Sequence, residues 1–145
     1  TDVEACVIGS HGEKMLPLSR LSKIKGAALE EFLDEKKIEE LAQKTVSRGL
    51  EIVTLLGSGS AYFAPSAAIA EIVRAVAKDE KKIIGVCAYV NGEYGIKDVC
   101  IGLPCRLGSQ GIEQIIELEL NKKEIELLSG SASVLKEQFN NLTIG

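Results

Sequence analysis

The sequence predicts an α+β domain in which long amphipathic helices pack on a twisted, mainly antiparallel sheet. Two observations carry that expectation. Apolar residues recur at steps of three and four in the middle and at the end of the chain. Short β-branched or alternating apolar runs, set off by glycine-containing turns, lie outside those stretches.

Taken in order, Ala5-Cys6-Val7-Ile8 is an apolar run halted by Gly9, which predicts a buried strand ending in a turn. Met15 to Leu18 resumes the apolar character. Between them lies Gly9-Ser10-His11-Gly12-Glu13-Lys14, so the single histidine of the chain sits on a glycine-flanked turn between two expected strands. From Ile38 the positions Leu41, Ala42, Thr45, Val46, Val53 and Leu56 mark an amphipathic helix, which Gly49 does not put out of phase. A second helical pattern runs through Ala68, Ile69, Ile72, Val73 and Val76, and Gly57-Ser58-Gly59-Ser60 separates the two. Lys82 to Val90 reads as a strand ending in Asn91-Gly92, the signature of a tight two-residue hairpin. Val99 to Leu107 supplies its partner. A third strand is expected where Ile116, Leu118 and Leu120 alternate with Glu117 and Glu119. Asn121 with Glu124 predicts a capped terminal helix, continued by Ile125, Leu128, Ala132, Leu135, Phe139 and Leu142.

The chain has 145 residues, 46% of them hydrophobic, which suits one well-buried core and a single domain over 1–145. Its formal charge of -4 and the lack of a basic run argue against a nucleic-acid partner, which needs clustered Lys and Arg. The paired lysines lie beside acidic residues and read as solvated faces. No apolar stretch is long enough to span a bilayer, and no leader pattern opens the chain, so a cytoplasmic protein without a membrane partner is expected. Cys6, Cys87, Cys100 and Cys105 lie in strand-like runs without zinc-knuckle spacing, which predicts buried free thiols. With one histidine and scattered cysteines no metal site is expected. The chain opens on Thr1 and soon enters a strand-like segment, so its numbering is expected to begin partway along a longer polypeptide.

His11 is the first candidate for chemistry, because imidazole is the side chain that exchanges protons near neutrality without environmental tuning. Flanking glycines allow a sharp turn and close approach of a ligand. Ser10 and Ser60 lack the Gly-x-Ser-x-Gly setting of a hydrolase nucleophile, and Ser58 follows a helical pattern where such an elbow needs a strand. The same glycine cluster is a poor phosphate cradle for the same reason.

The segment Val7-Ile8-Gly9-Ser10-His11-Gly12-Glu13-Lys14-Met15-Leu16-Pro17-Leu18 resembles the surroundings of the active-site histidine in the lactate and malate dehydrogenase family. Gly59-Ser60-Ala61-Tyr62-Phe63-Ala64-Pro65-Ser66-Ala67-Ala68 looks like the malate form of the family's pocket-lining segment, and Gly92-Glu93-Tyr94-Gly95-Ile96-Lys97-Asp98-Val99 looks like its hairpin. The resemblance runs from about Ala5 to the terminal helix. It implies the family's C-terminal, substrate-binding domain, with His11 as general base for malate oxidation to oxaloacetate and acid in reverse, NAD as cofactor and a place in the tricarboxylic acid cycle. By the same resemblance Ser60 and Ala61 would line the substrate pocket and Pro65 would lie close to the nicotinamide ring. The residues alone equally allow Pro65 simply to begin a helix.

Glu13 stands where the family usually has aspartate, which lengthens the arm beside His11. The family's dinucleotide loop, histidine-orienting aspartate and substrate-clamping arginines have no counterpart here: Arg20, Arg48, Arg74 and Arg106 fall in none of its motifs. The resemblance therefore implies an N-terminal NAD-binding domain as partner in the same protein, absent from this chain, and a homo-dimer or homo-tetramer. The lactate form usually carries tryptophan in two of these segments, and this chain has none. A lactate dehydrogenase domain, or a non-catalytic binding or oligomerisation domain of the same fold, are the alternatives.

Overall fold

The computed structural model describes residues 2–142; Thr1, on which the expectation of a longer polypeptide partly rests, lies outside them. In chain order the elements are β1 (Val3–Glu4), β2 (Val7–Gly9), β3 (Met15–Pro17), β4 (Lys23–Ile24), β5 (Ala27–Ala28), α1 (Glu35–Leu56), α2 (Phe63–Ala77), β6 (Lys82–Asn91), β7 (Lys97–Gly108), β8 (Gly111–Ile115) and α3 (Lys122–Asn140). The expected α+β architecture is what forms.

The main sheet is antiparallel throughout and is organised around β7. One edge of β7 carries β6, registered from Lys82↔Leu107 to Asn91↔Lys97. The other edge is shared: β2 meets it through Gly9↔Gly102, and β8 through Cys105↔Ile115 to Gly108↔Gly111. Beyond β2 lies β3, while β1, β4 and β5 form a separate small sheet.

Strand alternation decides which face is core. Val99, Ile101, Leu103, Cys105 and Leu107 of β7, with Ala88 and Val90 of β6 and Ile8 of β2, turn inward and are buried against Ala75 of α2 and Leu128 and Ala132 of α3. Full burial of side chains such as Ile101, Leu103 and Leu128 contributes roughly 1.5–3 kcal/mol each. Cys87, Tyr89 and Cys100 lie on the opposite face and are exposed.

The helices form where the apolar spacing places them. Asp34 caps α1, its side chain accepting from the Lys37 amide at 2.8 Å, and Gly57 in the left-handed conformation ends it. Asn121 and Glu124 cap α3 reciprocally: the Asn121 side chain accepts from Glu124 N at 3.0 Å while Glu124 Oε2 accepts from Asn121 N at 2.8 Å. Pro65 falls in the first turn of α2, where its missing N–H costs nothing. Leu142 lies just past the end of α3, outside the helix it was expected to extend.

The structure corrects some expectations. Asn91-Gly92 does not make a two-residue turn; Asn91 still pairs with Lys97, and the connection runs through a 3-10 turn at Glu93–Gly95. Local bonding favours the longer loop, since Glu93 Oε2 accepts from Asn91 N and the Tyr94 hydroxyl accepts from Leu118 N. The third strand is Gly111–Ile115, not Ile116 to Leu120. Leu118 and Leu120 do turn toward the core, but beyond the bond from Ile116 N to Pro104 O at 2.8 Å the segment joins no ladder among the described residues: alternation reports burial, and pairing needs a neighbouring edge. Nor are all the thiols buried. Cys105 is, Cys6 is partly covered, and Cys87 and Cys100 are exposed.

Candidate active site

The turn holding His11 is built by backbone geometry on both sides. Gly9 ends β2 at φ 93°, a conformation that side chains rarely adopt, and Met15 N donates to Gly12 O at 3.0 Å where β3 begins. The same glycine meets β7 so closely that a Cβ on Gly102 would stand 2.7 Å from the Gly9 carbonyl oxygen. Ser10, the first residue beyond the ladder, donates its amide to Ser131 Oγ of α3 at 2.8 Å. The backbone on the N-terminal side of His11 is thus fixed to strand and helix.

The His11 side chain is treated differently. It is exposed, and among the described residues no hydrogen bond engages its imidazole. It borders a cavity of about 390 Å³ whose other walls include Val7, Ser10, Met15, Cys87, Cys100 and Leu135, with Gly85 and Gly102 leaving the sheet surface open. A fixed backbone carrying an unengaged imidazole beside a mostly apolar cavity suits proton exchange with a bound molecule. Among the described residues, no arginine and no carboxylate lines that cavity.

Ser60 and Ala61 lie between Gly59 and α2, with Ser60 exposed and Ala61 partly covered, and Pro65 is exposed in the first turn of α2. None of them lines the cavity beside His11. The described residues include no group of three or more His, Cys, Asp or Glu able to hold a metal ion. The Cys87 thiol beside the cavity is a poor nucleophile, because partial burial pushes its pKa above the ordinary value, with Cys100 adding to the shift.

A larger cavity of about 870 Å³ adjoins the first and shares Cys100 and Leu135 with it, lying between the C-terminal half of α3 and the β6–β7 hairpin. Its Tyr89 hydroxyl donates to Asp98 Oδ1 at 2.9 Å, a bond that raises the Tyr89 pKa and keeps the phenol protonated. It supplies no base comparable to His11.

Ser131 was not singled out from the sequence, although a hydroxyl on the apolar stripe between Leu128 and Leu135 was a signal to follow. Gly102 was missed as well. Its role depends on a strand partner far away in the chain, which no local pattern reveals.

The fold has known counterparts. The family model for the lactate/malate dehydrogenase alpha/beta C-terminal domain matches residues 1–143. A malate dehydrogenase of Methanosarcina mazei is 44% identical over 143 residues, 99% of this chain and 47% of that protein. One of Trichormus variabilis is 45% identical over 138 residues, 95% of this chain and 43% of that protein. Among solved structures, malate dehydrogenase from Salinibacter ruber superposes with a TM-score of 0.92 at 40% identity, covering 96% of this chain and 45% of that one. Lactate dehydrogenase from Eimeria maxima, solved with NADH and oxamate, gives the same TM-score and identity over the same shares. The chain spans about half the length of the curated relatives it matches.

Proposed function

We propose, because the chain belongs to the lactate/malate dehydrogenase family as its alpha/beta C-terminal domain, that it supplies the proton-transferring histidine to an NAD-dependent malate dehydrogenase. The observation that carries this reading is the His11 turn, whose backbone is fixed to β7 and α3 while its imidazole is left free beside a cavity. The mostly malate-dehydrogenase relatives support the substrate.

In this reading the hydroxyl of bound malate gives its proton to His11 as oxaloacetate forms, and His11 returns it in the opposite direction. Removing that proton makes loss of hydride from the adjacent carbon easier, because charge develops toward an alkoxide. The nicotinamide cofactor, when bound, supplies the ring that accepts the hydride.

The described residues do not fit the dinucleotide itself. The glycine-rich run from Gly57 to Ser60 follows a helix, and its first glycine closes α1 instead of opening a phosphate cradle after a strand. We assign that task to an NAD-binding domain of the same protein, with this chain as a single domain over 1–145. Ser60 and Ala61 as substrate contacts and Pro65 as a neighbour of the nicotinamide belong to the same proposal. They would reach the site only when that domain completes it. A homo-dimer or homo-tetramer, a cytoplasmic location and a role in the tricarboxylic acid cycle complete the reading; no described helix is long and apolar enough to cross a membrane.

Lactate oxidation is the second reading, favoured by the equally similar Eimeria maxima enzyme. The test follows NADH absorbance with NAD and either malate or lactate, using the dehydrogenase polypeptide that carries this chain. Preferential turnover of malate supports the proposal, and preferential turnover of lactate replaces it with the second reading.

A further inference from the structure

We propose that Ser131 is a positioning residue that sets where the His11 turn leaves the sheet; this rests on reading His11 as the proton-transferring group. Ser131 is 1% exposed and is the buried polar side chain among the described residues. Its Oγ accepts from the Ser10 amide at 2.8 Å across 121 positions of sequence.

Packing alone does not call for a hydroxyl here. Ser131 sits between buried Leu128 and Ala132 on the inner stripe of α3, where alanine would favour the helix more and leave no polar atom to satisfy. The hydroxyl is accounted for by the backbone it meets. A Cβ on Gly9 would lie 3.1 Å from the same Oγ, so Ser131 packs against the last residue of β2 while bonding the next one. Ser10 is the residue immediately before His11. The ladder ends at Gly9, so the Ser131 bond fixes the path of the backbone into His11.

The helix that offers this acceptor is itself anchored. Its cap is reciprocal, and Glu124 in its first turn accepts from Arg20 at 2.8 Å while Arg20 also donates to Glu119 O at 2.7 Å. The terminal helix is therefore a platform whose placement reaches His11 through one hydrogen bond.

The test compares Ser131→Ala and Ser131→Thr with the unaltered protein. In the 145-residue chain, the readout is hydrogen exchange at the Ser10 amide, expected to rise about tenfold in Ser131→Ala while β7 amides stay protected. In the dehydrogenase polypeptide, kcat should fall about ten- to hundredfold in Ser131→Ala with little change in KM. The kinetic isotope effect with malate deuterated at the carbon bearing the hydroxyl should rise. Ser131→Thr keeps an acceptor and should keep both Ser10 protection and kcat. The proposal is overturned if Ser131→Ala leaves Ser10 exchange and kcat unchanged, or if Ser131→Thr protects Ser10 yet loses activity to the same degree as alanine. Should the unaltered polypeptide turn over no 2-hydroxy acid, the catalytic reading of His11 fails separately, and Ser10 exchange alone decides whether Ser131 holds the turn.

Discussion

The carbonyl oxygen of Gly9 lies where a side chain on Gly102 would have to go: a Cβ there would stand 2.7 Å from it. This contact joins β2 to β7 at their single registered pair and sets the sheet end of the His11 turn. Because the obstructing atom is backbone, Gly102→Ala can be accommodated only by separating the strands. The variant is expected to lose about 1–3 kcal/mol of stability, as overpacked sites do. Urea denaturation at neutral pH measures it, and an unchanged midpoint would show that β2 is not held by this approach.

Acid should weaken the anchoring of α3. The hydrogen bond from Arg20 holds the Glu124 carboxyl below its ordinary value of 4.5, helped by the Asn121 amide and opposed by partial burial. For a carboxylate depressed on folding, the stabilising contribution is complete above the unfolded value and is lost as pH falls through the folded one. The urea midpoint should therefore drop as pH is lowered below about 4.5. In Arg20→Met the drop should be shallower, because the shift loses its main cause; superimposable profiles would show that the pair contributes nothing to folding.

Helix α1 is the surface on which self-association is expected. It has no buried residue, and Leu50 and Leu55 are 73% and 79% exposed. A surface this apolar on a helix of 22 residues favours contact with another chain. Light scattering at high micromolar concentration should report dimers or larger, and Leu50→Glu with Leu55→Glu should shift the mass toward monomer. A strictly monomeric mass for the unaltered protein would contradict this.

These expectations come from different depths of the sequence. The helices, the Asn121 cap and the His11 turn were legible because spacing, capping residues and flanking glycines act within a few positions; the Asp34 cap of α1 was not read. The hairpin after Asn91 was misread because the side chains of Glu93 and Tyr94 select the longer loop, and one of them answers to Leu118 far downstream. The alternation of Leu118 and Leu120 correctly marked an inward face, but a strand also needs a partner edge, and β7 gives that edge to Gly111–Ile115. Composition placed the cysteines in strands without telling which face each would take. Ser131 was hidden for the same reason, since its partner lies 121 positions away.

The 145-residue chain, taken as it stands, is expected to fold and to be catalytically inert. A buried core forms around Ile101, Leu103 and Leu128, yet among the described residues the cavity beside His11 offers neither an arginine for a substrate carboxylate nor a carboxylate to fix the imidazole. Positioning groups of this kind supply much of an enzyme's rate. Circular dichroism should show a cooperative thermal transition, and malate with NAD should yield no NADH. Turnover by this chain, or micromolar NAD binding by calorimetry, would mean that the site is assembled from other residues.

The most direct measurement is the kcat of His11→Asn in the full-length dehydrogenase proposed to contain this chain. Asparagine preserves a polar side chain on the glycine-flanked turn but cannot take a proton near neutrality. The account predicts that kcat for malate oxidation falls about a hundred- to ten-thousandfold, with circular dichroism unchanged. A His11→Asn enzyme whose kcat stays near that of the unaltered protein would contradict it.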